Sequence, residues 1–145
     1  MMHNLLTRLL APTPQRLAEP DARLALATLL VRVARSDGDY ADHEISRIDR
    51  VLAEHHGLSP FAAAGLRTQA EALEADAPDT VRFTRAIKAA TDHEDRAALL
   101  QALWSVALAD GGRDAEEDRL LRLIANLLGL TDVESALARQ KAAKE

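Results

Sequence analysis

Cysteine is absent from this 145-residue chain. That removes disulfide staples, thiolate zinc sites and thiol nucleophiles together, and it fits a reducing cytoplasm. Aromatic residues are scarce at 3 %, so a core has to be built from Leu, Ala, Ile and Val, a mixture that favours helices over strands. No apolar run approaches the roughly 20 residues that a membrane-spanning helix needs. A basic surplus is also missing: 18 Lys and Arg stand against 23 Asp and Glu, for a net charge of −5. The basic residues are scattered, whereas nucleic-acid backbones are bound by a clustered basic face, so no nucleic-acid partner is expected.

Apolar residues nevertheless make up 48 % of the sequence, enough for one domain with a real core. Residues 1–19 read as a short amphipathic helix, broken by Asn4 and Arg8, with a lead-in containing Pro12 and Pro14. Residues 20–138 read as the helical body and 139–145 as a charged, fraying tail. From Asp21 to Arg35 apolar residues cover most of a helix circumference, which predicts a central helix ending at Ser36-Asp37-Gly38. Asp42 is the expected N-cap of the next, which stops at Gly57. Ser59-Pro60 opens a helix to about Ala75, and Ala77-Pro78-Asp79 opens one to Thr91. Asp92 caps a sixth, Ala115 to Leu128 forms a seventh, and Thr131 caps the last. The fold class is therefore all-α, a single multihelical domain of seven to eight helices. Leu26, Leu30, Ile48, Leu52, Phe83, Ile87, Leu100, Trp104, Ile124 and Leu127 are its expected core.

One acidic phrase occurs twice. Asp37-Gly38-Asp39-Tyr40-Ala41-Asp42-His43-Glu44 returns as Asp110-Gly111-Gly112-Arg113-Asp114-Ala115-Glu116-Glu117, and in both the glycine is followed six residues later by Glu. Each copy follows an apolar helical stretch and precedes another that ends in Gly-Leu-Ser or Gly-Leu-Thr, so the chain carries a duplicated helix-loop-helix unit. Related loops in a duplicated domain are expected on one acidic face, with Asp37 near Asp110. The Asp-Gly-to-Glu spacing matches the second half of an EF-hand loop. Register excludes that motif, because the first and third ligand positions would be Val33 and Arg35 in one copy and Val106 and Leu108 in the other.

What remains is a pair of carboxylate-rich turns, with Asp37, Asp39, Glu44, Asp110, Asp114 and Glu117 as candidate metal ligands. Calcium takes six to eight hard oxygens, and one turn supplies only about half of them, so two facing turns could complete a site. Calcium or magnesium suits these oxygens better than zinc. The alternative assigns the same acids to helix starts, where capping and the helix dipole favour them. His43, His55, His56 and His93 lack the spacing of a zinc motif: no His follows His43-Glu44 at the required place, and His55 and His56 diverge by about 100° on a helix. Glu-x-x-His pairs for a di-iron bundle are absent. Trp104, flanked by Leu100, Leu103, Ala107 and Leu108, reads as core. Without a nucleophile or a phosphate-binding loop, the expectation is a non-enzymatic protein, with a metal-dependent hydrolase as the third reading.

The two acidic phrases, the stretch Leu103-Trp104-Ser105-Val106-Ala107-Leu108-Ala109 ahead of the second, and the closing Ile124-Ala125-Asn126-Leu127-Leu128 resemble the TerB-like family, named for bacterial tellurite resistance. Val81-Arg82-Phe83-Thr84 and Glu94-Asp95-Arg96 resemble its middle portion, and the likeness spans roughly residues 20 to 135. The resemblance implies a bacterial cytoplasmic all-helical domain with an acidic, metal-binding surface. A stress-response or accessory role, a protein partner and a homodimer are further expectations for the chain. Arg113 departs from the pattern, standing where the counterpart of Tyr40 is expected, and it would neutralise part of the second loop's charge.

Overall fold

The computed structural model describes residues 2–10, 19–36, 38, 40–77, 79–108 and 115–144. Eight helices run through them: α1 (Met2–Leu9), α2 (Glu19–Ala34), α3 (Asp42–His56), α4 (Pro60–Asp76), α5 (Thr80–Ala90), α6 (His93–Ala107), α7 (Ala115–Leu127) and α8 (Asp132–Ala143). No strand occurs among the described residues.

Two helices without a polar face form the centre, as their near-continuous apolar sequences require. Leu24, Ala25, Ala27, Leu29, Leu30, Val31, Val33 and Ala34 of α2 are buried, and so are Leu99, Leu100 and every residue from Ala102 to Ala107 of α6. The one hydroxyl inside this stretch of α2, Thr28 Oγ1, donates to the Leu24 carbonyl at 2.7 Å. Helices α2 and α6 pack on each other. Around them the duplication is wider than a helix-loop-helix. α4 packs on α2 as extensively as α8 packs on α6, so each repeat has three helices, α2–α3–α4 and α6–α7–α8. α5 connects them and packs on α7, while α1 docks on α4 and α5 with Leu5 and Leu9 buried.

Matching punctuation explains why the repeats fold alike. α3 ends at Gly57 with φ +63° and α7 runs out at Gly129 with φ +77°, a left-handed conformation that glycine adopts without a Cβ penalty. The following amides close the same six-residue ring: Leu58 N–H donates to Ala53 O at 3.1 Å, and Leu130 N–H to Ala125 O at 2.9 Å. Ser59 Oγ then accepts from Ala62 N–H, and Thr131 Oγ1 accepts from Glu134 N–H, both at 3.1 Å. Glu134 returns the contact by accepting from Thr131 N–H at 3.0 Å, and this bond, with His93 at 2.6 Å, holds its carboxyl below the usual range. Asp92 caps α6 as the sequence predicts, accepting from Asp95 N–H.

Three expectations need correction. Ala41, not Asp42, is the N-cap of α3; Asp42 is already helical, because Glu44 satisfies the entry from inside the first turn. Leu26 and Leu127 are only half-buried, while the other eight expected core residues are buried. On α7 the inward stripe is Leu121, Ile124, Ala125 and Leu128, which turns Leu127 to the core's edge and leaves Leu123 exposed. Finally, the expected tail from residue 139 stays helical to Ala143, because Ala138 and Ala142 bury against the body and hold that last turn in place.

Candidate functional site

The first acidic loop connects α2 to α3, and the third helix of its own repeat grips it. Tyr40, inside the loop, donates its hydroxyl to Glu71 Oε2 on α4 at 2.7 Å, and the Arg35 guanidinium lies over its ring, 4.9 Å from the centroid. Glu71 is held in turn by Arg67, 3.1 Å away one helical turn earlier, and Arg67 reaches Asp49 of α3 at 2.6 Å. Arg35 also pairs with Glu74 at 2.7 Å, which Arg32 meets from its other side at 3.2 Å. Arg32 lies over the buried Phe83 ring of α5 as well. Arg32 of α2, Arg35 just past its end, two glutamates on α4 and Tyr40 thus clamp the chain entering and crossing the loop. Arg67 and Glu71 are mostly sheltered from water, where a charge-assisted pair is worth more than an exposed one such as Arg50–Glu54.

Electrostatics follow this packing. Burial, then the hydrogen bond to Glu71 and that residue's charge, push the Tyr40 phenol well above its ordinary value. The bond to Asp49 raises the Arg67 guanidinium in the same sense. Because the folded phenol is raised, its contribution to stability is full below the ordinary tyrosine range and is lost as pH rises through the raised value. Tyr40 is the only tyrosine, so ultraviolet titration reads it directly. The folded chain is expected to form tyrosinate at clearly higher pH than the urea-unfolded chain. Coincident titration curves would contradict the Glu71 contact.

Of the six candidate ligands, only Glu44 is described with its side chain. It is 4 % exposed and accepts from the Ala41 N–H at 3.2 Å, the inner half of a capping box. Asp37, Asp39, Asp110 and Asp114 lie outside the described residues, as does the Glu117 side chain, and so does the expected approach of Asp37 to Asp110. Among the described residues no three His, Asp or Glu side chains gather as a metal site. His55 and His56 occupy the last turn of α3, where the helix dipole favours them, and His93 pairs with Glu134.

The Arg32–Arg35–Glu74 cluster was not anticipated. It lines an open groove of about 650 Å³ beside Ser36, completed by Asp79 and Arg119 and by the apolar Leu123. A local signal existed for one pair, Arg67 and Glu71 at i, i+4. Contacts between α2 and α4 carry no such signal.

No curated protein and no solved structure matches the chain. No helix among the described residues is long and apolar enough to cross a membrane. The family model described as Tellurite resistance protein TerB matches residues 23–140, from the first turns of α2 into the last of α8. That match covers both three-helix repeats and most of the sequence, and the chain belongs to the TerB family.

Proposed function

We propose that this chain is a non-enzymatic binding module with a stress-response or accessory role. It takes up a divalent cation, calcium or magnesium, at its acidic loops and presents the loaded surface to a protein partner. Asp37, Asp39 and Glu44 serve the first loop, and Asp110, Asp114 and Glu117 the second. The observation that supports this reading is the clamp on Tyr40: a loop held by Glu71 and Arg35 has less freedom to lose when a ligand engages its carboxylates. The groove beside Ser36, with arginines and an exposed leucine, suits a partner docking next to the loop.

Glu44 itself favours a second reading, in which the loop acids are only helix starts and the domain is a structural interaction module. Calorimetric titration with calcium and magnesium separates the two. The cation reading expects saturable heat and a raised melting temperature, since a ligand that binds only the folded state stabilises it. Glu44→Gln should weaken binding while keeping an oxygen for the Ala41 N–H, and Glu117→Gln should weaken it less because of Arg113. No heat and no melting shift with millimolar cation would leave the capping reading in place.

A further inference from the structure

The repeats differ at one arginine. The third helix of each carries an Arg ten residues beyond its left-handed glycine, Arg67 after Gly57 and Arg139 after Gly129. Arg67 is paired twice, with Asp49 and with Glu71. In the second repeat the place of Glu71 is taken by Ala143. The place of Asp49 falls on Arg122 when counted from the Asp-Gly pair and on Leu121 when counted back from the glycine, so neither register supplies a carboxylate. Arg139 lies instead over the Trp104 ring, 5.3 Å from its centroid, and neither it nor Arg122 has a carboxylate partner among the described residues.

Arg122 and Arg139 both line a cleft of about 480 Å³ bounded by α6, α7 and α8. Trp104 forms part of its wall, and its indole N–H reaches the Ser135 hydroxyl only at a long 3.4 Å. Ser135 and Asn126 add polar groups that can donate. The two acids that also line the cleft have other roles: Asp132 stands in the first turn of α8, where the helix dipole favours it, and Asp118 is already engaged.

We infer that this cleft is a binding site for a small organic oxyanion, a carboxylate or a phosphate ester, held between Arg122 and Arg139. Guanidinium forks match the paired oxygens of either group. The volume lies within the range of about 300–1,000 Å³ typical of small-molecule sites, which leaves room for an organic body beyond the anionic head. None of the six candidate cation ligands lines the cleft, and the second repeat has no carboxylate at the positions that pair with Arg67 in the first.

Trp104 is the only tryptophan, so its fluorescence reports the cleft. The full chain would be titrated with citrate and with glycerol phosphate at constant ionic strength set by chloride. A saturable change below about 1 mM is expected with at least one probe, and which one responds identifies the carboxylate or the phosphate head. Arg122→Gln and Arg139→Gln should each weaken binding by roughly tenfold or more, as expected for loss of a charge-assisted contact. Arg85→Gln, an exposed site on α5 with the same change in charge, should not. Arg139→Gln alters the surroundings of Trp104 directly, so calorimetry on the same variants checks the affinities. Absence of saturation with both probes up to about 10 mM would overturn the proposal. Equal weakening by Arg85→Gln would do the same.

Discussion

Phe83→Ala is expected to destabilise the domain by about 3–5 kcal/mol, the range for deleting a fully buried aromatic ring. Phe83 is 0 % exposed and belongs to α5, the helix that joins the repeats and supports α1 and α7. Its loss leaves a cavity in a core with few large side chains, and it removes the surface beneath the Arg32 guanidinium. In a chain of this size the melting temperature should fall by roughly 10 °C. Urea unfolding measures the effect, and a change below about 1 kcal/mol would mean that neighbouring helices collapse into the space.

Glu71→Ala is expected to cost about 2–3 kcal/mol, because Tyr40 and Arg67 lose a shared, mostly sheltered acceptor at one stroke. Arg67 keeps Asp49, which holds the figure below that for a stranded buried charge. Tyr40→Phe removes only the hydroxyl and should cost about 1 kcal/mol. The double variant should fall short of the sum, since both changes break the same bond. Strict additivity in thermal or urea unfolding would show that Tyr40 and Glu71 act independently, and the loop clamp would lose its support.

Local chemistry made much of this fold legible. Ser59, Asp92 and Thr131 cap helices by bonding amides three residues away, and Gly57 and Gly129 end or follow helices by a conformation that only their own backbone decides, so the sequence contains the whole argument. Asp42 misled because Glu44, three residues beyond the true cap, accepts from the Ala41 N–H, the reciprocal half of a capping box, so that helix opens at a residue with no capping side chain of its own. Leu127 lies on an amphipathic helix with more leucines than its buried stripe can hold, and periodicity alone does not choose which of them turns inward. Ala138 and Ala142 are too small to mark a buried face, so the last turn of α8 read as tail.

The candidate site was legible in its acids and not in its framework. Asp37 to Glu44 is one contiguous phrase, and its recurrence is visible by inspection. The clamp joins residues 31 to 42 positions apart, Tyr40 to Glu71 and Arg32 to Glu74, and those partners meet only because α2 packs on α4. That Arg139 meets the Trp104 ring and no carboxylate among the described residues likewise depends on how α6 and α8 pack.

The central claim, cation binding at the acidic loops, is tested most directly by the six glycine amides in a nitrogen-correlated NMR titration with magnesium and calcium. Gly38, Gly111 and Gly112 belong to the two acidic phrases of the sequence, whereas Gly57, Gly65 and Gly129 do not. The account predicts saturable shifts of the first three while the other three stay still. Loop glycines that stay still up to millimolar cation, or that move no more than Gly57, Gly65 and Gly129, would contradict it.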